Sequence, residues 1–189
     1  MKSTNRLWRW LGLIFVLSFG ALGYLGWQIY LTAPPIPKAV VTSDGDVLFS
    51  GEQVQRGQQA WMAAGGQQLG TVWGHGSYVA PDWSADWLHR EATALQKIRN
   101  AQQRQATPTE ADQAAVNARV RDEMRRNTYD ESTGTVKVSA ERAQAIREVA
   151  GHFDDLFGTE PSLSKLRDQY AMGEGALPEK ADRDRKSVV

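Results

Sequence analysis

Side chains able to do chemistry crowd into one stretch, Trp73-Gly74-His75-Gly76-Ser77-Tyr78-Val79-Ala80-Pro81-Asp82-Trp83-Ser84-Ala85-Asp86-Trp87-Leu88-His89-Arg90-Glu91. It holds two histidines, two aspartates and a glutamate among three tryptophans. A metal site here would pair His75 and His89 with Asp82 or Asp86. That spacing lacks two histidines one helical turn apart, and no cysteine pair is present to anchor an ion. A general acid–base site needs histidine against a carboxylate inside a cleft. His89 and Asp86, three residues apart, could meet on a helix, where such a pair is ordinarily a local polar contact. Composition favours a third arrangement, in which aromatic rings fill a core around a glycine-rich loop and Asp and His satisfy its backbone. On that basis Trp61, Trp73, His75, Tyr78, Asp82, Trp83, Asp86, Trp87, His89, Arg90 and Glu91 are structural or interface candidates. No catalytic or metal-binding residue is expected.

The elements that must position these residues begin with an apolar stretch. From Trp10 to Leu31 the chain carries no charge, and a helix of that length spans the ~30 Å hydrocarbon core of a bilayer. Lys2, Arg6 and Arg9 precede it, and the first acidic residue is Asp44. The positive-inside bias therefore places the N-terminus in the cytoplasm and the remainder outside. Trp8 and Trp10 at one end, and Tyr24, Trp27 and Tyr30 at the other, suit the two interfaces. A cleaved signal peptide would have a shorter apolar core, whereas this one continues well beyond Ser18-Phe19-Gly20. Pro34-Pro35-Ile36-Pro37 then forms a stiff spacer.

Beyond it, Val40–Thr42 and Val47–Phe49 flank Ser43-Asp44-Gly45-Asp46, a hairpin signal. Ser50 and Gln53 predict a capping box at the start of a helix running to about Ala64. Residues 65–83 read as a long ordered loop. Ser84 is expected to open a second helix, with Leu88, Ala92, Leu95 and Ile98 inward and Asp86, Arg90, Glu91, Lys97 and Arg99 in solvent. Thr107-Pro108-x-Glu110 predicts a third helix, with a thin apolar stripe of Val116, Val120 and Met124. A second hairpin is expected over Thr128–Val138 around Gly134. Ser139 should cap the most strongly patterned helix, with Ala143, Ile146, Val149, Ala150, Phe153 and Leu156 on one face and Gly158 at its end. A short helix from Ser162 to about Met172 precedes a charged tail.

The charges balance, 22 basic against 22 acidic, and no clustered basic face predicts a nucleic-acid partner. The chain has no cysteine. Disulfides, thiolate metal sites, cysteine nucleophiles and covalently attached c-type haem are thereby excluded.

The stretch from Gly70 to Glu91, led by Gln58-x-x-Trp61 and Gly65-Gly66-Gln67, resembles the extracytoplasmic segment of quinol-dependent nitric oxide reductases. These are members of the haem–copper oxidase superfamily with a non-haem iron in place of copper. The Pro-rich exit, the Asp-Gly hairpin and Tyr129-Asp130-x-x-Thr133-Gly134 match in order. So do Arg142-x-x-x-Ile146-Arg147-x-Val149-Ala150 and Leu166-Arg167-x-x-Tyr170-Ala171, so that the resemblance covers about residues 8–180.

The resemblance implies a mainly α fold with short β-hairpins: one transmembrane helix followed by a cytochrome c-like helical domain that has lost its haem. Gly57 and Trp61 stand where cytochromes c carry a glycine and an aromatic residue on their first helix. The haem-attachment triplet would then fall on Gly65, Gln68 and Leu69, none of which can attach haem or ligate iron. Leu166 and Tyr170 would lie on the terminal helix. The implied organisation is residues 1–33 for the cytoplasmic N-terminus and membrane helix, 34–39 for the spacer, 40–175 for the haemless periplasmic domain and 176–189 for a polar tail. That tail stops where the family's second membrane helix would begin, as in a fragment.

The family converts two nitric oxides and quinol to nitrous oxide, water and quinone, in denitrification or nitric oxide detoxification. Its haem b and non-haem iron are held by histidines on membrane helices. His75, His89 and His152 all lie outside the apolar stretch, so no cofactor is expected in this chain, which should be inactive alone. Its expected partners are the lipid bilayer and the catalytic membrane-helix core, in cis or as a separate chain, with the domain capping that core on the periplasmic side of a bacterial inner membrane. The alternative is a stand-alone anchored periplasmic module that docks on another membrane protein. A small extracytoplasmic enzyme using His75 or His89 with Asp82 or Asp86 is a third class.

Overall fold

The computed structural model describes residues 2–63, 70–71, 81–102, 109–173 and 175. By internal contacts the chain divides into two units, Met1–Ile36 and Pro37–Val189.

The first unit is helix α1, Lys2–Thr32. Residues Thr4–Thr32 have a mean hydropathy of 1.6, long and apolar enough to cross a membrane. Its large apolar side chains, among them Leu11, Phe15, Phe19, Leu22 and Ile29, are all exposed within the chain. A helix that is apolar around its whole circumference has no stable place in water and fits a lipid surround. Near its end Thr32 Oγ1 donates to the Gln28 carbonyl at 2.8 Å, satisfying a polar group within the helix itself.

The second unit is mainly α with short β-hairpins, as the residue pattern predicts. Strands β1 (Ala39–Thr42) and β2 (Val47–Ser50) pair antiparallel. Gly45 supplies the turn at φ +93°, a conformation other residues rarely adopt. Helix α2 (Gly51–Ala63) follows without a break. The predicted capping box is present: the Ser50 amide donates to Gln53 Oε1 at 2.8 Å, and the Gln53 amide to Ser50 Oγ at 3.4 Å. Helices α3 (Trp83–Gln102) and α4 (Glu110–Arg125) come next. Strands β3 (Tyr129–Asp130) and β4 (Thr135–Val138) then turn through Gly134 at φ +71°. Helix α5 (Ala140–Phe157), a 3-10 turn (Pro161–Leu163) and α6 (Ser164–Gln169) complete the unit.

The two hairpins do not stand apart. They join into one four-stranded sheet, ordered β2-β1-β4-β3, through a parallel β1–β4 pairing that runs from Ala39 opposite Thr135 to Thr42 opposite Val138. No local pattern signals that pairing, because its partners lie far apart in the chain.

Helix α5 is the spine. Ala143 and Ile146 pack on Val40 and Val138 of the sheet. Ala145 meets Ala94 and Leu95 of α3 and Val116 and Val120 of α4. Val149, Phe153, Leu156 and Phe157 join Trp61, Trp83 and Met172. The α4 stripe is as thin as expected: Val116 and Val120 are its only buried residues among those described. Ser139 caps α5 by accepting the Arg142 amide at 3.1 Å, and the Gly158 N–H closes its end on the Asp154 carbonyl.

Three expectations need correction. The side chain that caps α3 is Asp82, whose Oδ1 accepts the amides of Ser84 at 3.1 Å and Ala85 at 3.3 Å. A carboxylate two residues earlier captures the free N–H groups before Ser84 can. For α4 the cap is Thr109, in a reciprocal box with Asp112, while Thr107 and Pro108 lie outside the described residues. The inward face of α3 is also rotated. Leu88 is half exposed, whereas Glu91 is buried, because α5 offers that acid a cation. Replacing Asp82 with Ala should cost about 1 kcal/mol, read as a lower urea midpoint at unchanged slope.

Candidate functional site

The chemistry-bearing stretch is built on the N-terminal half of α3. Gly70 and Thr71 approach it from one side. The Thr71 amide donates to the Pro81 carbonyl at 3.2 Å, the Trp83 amide donates back to the Thr71 carbonyl at 2.8 Å, and Thr71 and Asp82 form a short parallel bridge. Trp73, His75 and Tyr78, between Thr71 and Pro81 in the chain, lie outside the described residues, as do Gly65, Gln68 and Leu69.

Trp83, only 8 % exposed, is the hub of the interior. Its ring lies edge-on to Trp61 (6.2 Å between centroids), Phe153 (6.1 Å) and Tyr170 (5.8 Å), and tilted against Phe157 at 5.3 Å. Edge-on approach sets positive ring edges on negative ring faces. Gly70, at φ +135°, lies so close that an added Cβ would come within 2.3 Å of Trp83 Nε1. The glycine is required there on both counts, conformation and room. Trp87 stacks on Phe153 at 5.3 Å and remains partly exposed. Gly57 and Trp61, one helical turn apart on α2, are both buried, and Leu166 and Tyr170 pack against the cluster that includes Trp61.

Two charged arrangements flank this core. Glu91 is 2 % exposed. It accepts Trp87 Nε1 at 3.0 Å on one oxygen and Arg142 Nε at 2.6 Å on the other, binding α3 to α5 through an ion pair that the spacing along α3 could not reveal. On the neighbouring side Arg90 bridges to Asp86 at 3.0 Å, with the Tyr170 hydroxyl beside the guanidinium. Burial opposes the charge of Arg90. The bond and charge of Asp86, with Tyr170, outweigh it and hold the guanidinium above its ordinary value. His89 is exposed and carries no resolved link to Asp86. The histidine whose charge state this pair influences is His152 of α5. Burial first, and the charge of Arg90 second, push it below its ordinary value of 6.5, against the opposing pull of Asp86 and Asp155.

An open cleft of about 840 Å³ lies between α4, β4 and the start of α5, with Arg99, Arg119, Glu123, Arg126, Lys137 and Arg142 in its walls. Most of these charges are satisfied internally: Arg99 by Glu123, Arg126 by Asp122 and Arg142 by Glu91. A paired surface of this kind offers a polyanion little.

Among the described residues no group of three or more His, Asp or Glu side chains is placed to hold a metal ion. Haem of the c type does not fit the residues present. Its thioether links need cysteine thiols, which the chain lacks, and the interior beside α2 is filled by Trp61, Trp83, Phe153, Phe157 and Met172. The arrangement binds helices to one another.

No curated protein matches the chain significantly. Residues 37–187 match the family described as the cytochrome c-like domain of the nitric oxide reductase NorB. A mainly helical domain with short hairpins, preceded by an apolar helix and matched over most of its length, places the chain in the NorB cytochrome c-like family of nitric oxide reductase domains.

Proposed function

We propose that this chain is the N-terminal, non-catalytic part of a quinol-dependent nitric oxide reductase. Its second unit would cap the extracytoplasmic side of the catalytic membrane helices, which reduce two nitric oxides to nitrous oxide at the expense of quinol. The observation that carries this reading is the family match over 37–187, joined to an α1 helix long and apolar enough to anchor it. The cations before the apolar stretch favour a cytoplasmic N-terminus, which puts the domain in the periplasm.

In this role the aromatic and ionic arrangements around α3 serve rigidity. A cap must hold its shape over moving membrane helices, and a hub of interlocked rings does so without cofactors. Haem b, non-haem iron and quinol belong to the catalytic core.

Two measurements test the proposal. A reporter active only in the cytoplasm, fused after Val189, should be silent, and activity there would reverse the topology. Membranes carrying this chain alone should not consume nitric oxide with quinol, whereas membranes carrying it with the family's catalytic helices should. Turnover by the chain alone would overturn the non-catalytic assignment.

A further inference from the structure

Residues 158–173 lie against the aromatic core and are tied to the rest of the unit at few points. Among the described residues, the backbone bonds they make beyond the segment lie at its two ends. The Gly158 amide donates to the Asp154 carbonyl at 3.0 Å, and the Gly175 amide returns to the Gly158 carbonyl at 3.2 Å. One backbone bond thus brings the two ends together, with a glycine on each side. Leu163, Leu166, Tyr170 and Met172 hold the segment by packing on the cluster of Trp61, Trp83 and Phe157. The Tyr170 ring stands edge-on to Trp83 at 5.8 Å.

Two features work against that seating. Arg167 is buried, and among the described residues its partners are carbonyls rather than carboxylates. Nη2 donates to the Glu160 carbonyl at 2.7 Å and Nη1 to the Asp155 carbonyl at 3.4 Å, while Nε has no partner. Carbonyls at the end of α5 offer only partial negative charge. Much of the cost of taking this cation out of water therefore stays uncompensated. The second feature is the end of α6. The Met172 amide donates to the Arg167 carbonyl at 2.9 Å and the Ala171 amide to the Asp168 carbonyl at 3.1 Å. This is a helix stop that ordinarily places glycine where Ala171 stands. At φ +52° the alanine methyl strains the left-handed conformation. Lifting the segment returns Arg167 to water and frees Ala171.

We propose that residues 158–173 form a strap that swings off the aromatic core as a unit, hinged at Gly158 and Gly175, while α2, α3 and α5 stay folded. Segments with few bonds to their surroundings open at lower free energy than the core they cover. The open strap uncovers the side of the Trp61, Trp83 and Phe157 cluster that Tyr170 and Met172 seal. Closure is set by the packing of Leu166, Tyr170 and Met172 against the cost of seating Arg167 and Ala171. The strap rests on the bonding of this segment alone and is independent of the capping role.

The test is native-state amide hydrogen exchange of the whole detergent-solubilised chain at a series of low urea concentrations. The amides of Tyr170, Ala171 and Met172 report the strap, and those of Val149 and Phe153, inside α5, report unfolding of the unit. The strap amides should share one opening equilibrium and exchange several-fold faster than those of α5. Their exchange should also depend less steeply on urea, because less surface is exposed. Ala171→Gly, which relieves the strain, should slow strap exchange several-fold. Gly175→Ala should speed it by a similar factor, since φ there is +62°. The added Cβ would meet Thr159 Cγ2 at an ordinary 3.6 Å, so the backbone and not crowding is probed. Ile146→Val, at the sheet-facing part of α5, should speed α5 exchange and leave the strap amides as in wild type. Strap amides that accelerate by the same factor in Ile146→Val, or that share the urea dependence of α5 in wild type, would show that the segment opens only with the whole unit. Either result sinks the proposal, as does unchanged strap exchange in Ala171→Gly or Gly175→Ala.

Discussion

Trp83→Ala is expected to unfold the second unit or leave it barely folded at room temperature. Truncating a buried tryptophan costs about 3–5 kcal/mol in lost transfer energy and cavity, out of the ~5–15 kcal/mol that holds a domain together. Trp83 belongs at the upper end of that range. Its ring makes four aromatic contacts, to Trp61, Phe153, Phe157 and Tyr170, each worth about 0.5–1.5 kcal/mol beyond area. The hole would also open beside Gly70, which cannot fill it. Urea unfolding followed by far-UV circular dichroism checks the effect. His89→Ala, a change at an exposed position of the same helix, should stay within about 0.5 kcal/mol of wild type. A Trp83→Ala protein as stable as the His89 variant would mean that the interior does not depend on this ring.

Arg142→Met should be nearly as damaging, for a different reason. It strands the Glu91 carboxylate, whose side chain is 3 % exposed, with only Trp87 Nε1 to bond. Leaving one member of a buried pair uncompensated costs about 3–5 kcal/mol. The pair itself is not a large source of stability, since removing both charges spares the desolvation of each. The double variant Glu91→Leu, Arg142→Met should therefore regain most of the loss and unfold within about 1 kcal/mol of wild type. The rescue is the informative result. If the double variant lost the sum of the two single losses, the pair would be acting as two independent packing residues.

These two residues show what could and could not be read along the chain. Trp83 belongs to an aromatic run too dense for a surface, and its burial follows from composition. Glu91 stands among Arg90, Lys97 and Arg99, and a charged helix face ordinarily faces water. Its partner lies 51 residues away, and only the packing of α5 on α3 reveals it. His152 is the same case: its position on α5 is legible, but the α3 charges that act on it are not. Local signals fared better. The Ser50–Gln53 box, the Gly45 and Gly134 turns and the apolar face of α5 are each set by residues within a few positions of one another, where spacing and geometry coincide. The caps of α3 and α4 slipped by two residues because Asp82 and Thr109 compete with Ser84 and Thr107 for the same role. The joining of the hairpins was invisible, since a parallel pairing leaves no mark in either strand.

That pairing has a kinetic consequence. Ser43, just past β1, donates its amide to the Val138 carbonyl at 3.0 Å, across a separation of 95 residues. Closing so long a loop is entropically costly before any contact rewards it, and distant pairings slow folding. During synthesis the first hairpin leaves the ribosome well before β4 exists. The edge of β1 that β4 will cover stays open in the meantime, with its N–H and C=O groups unpaired. Such an edge can take up another copy of itself instead. Lys38, Asp44 and Asp46 border this hairpin, and charges in that position discourage self-pairing during the wait. Neutralising Lys38, Asp44 and Asp46 would leave the backbone bonds of the finished hairpin in place while lowering the yield of chains that reach it.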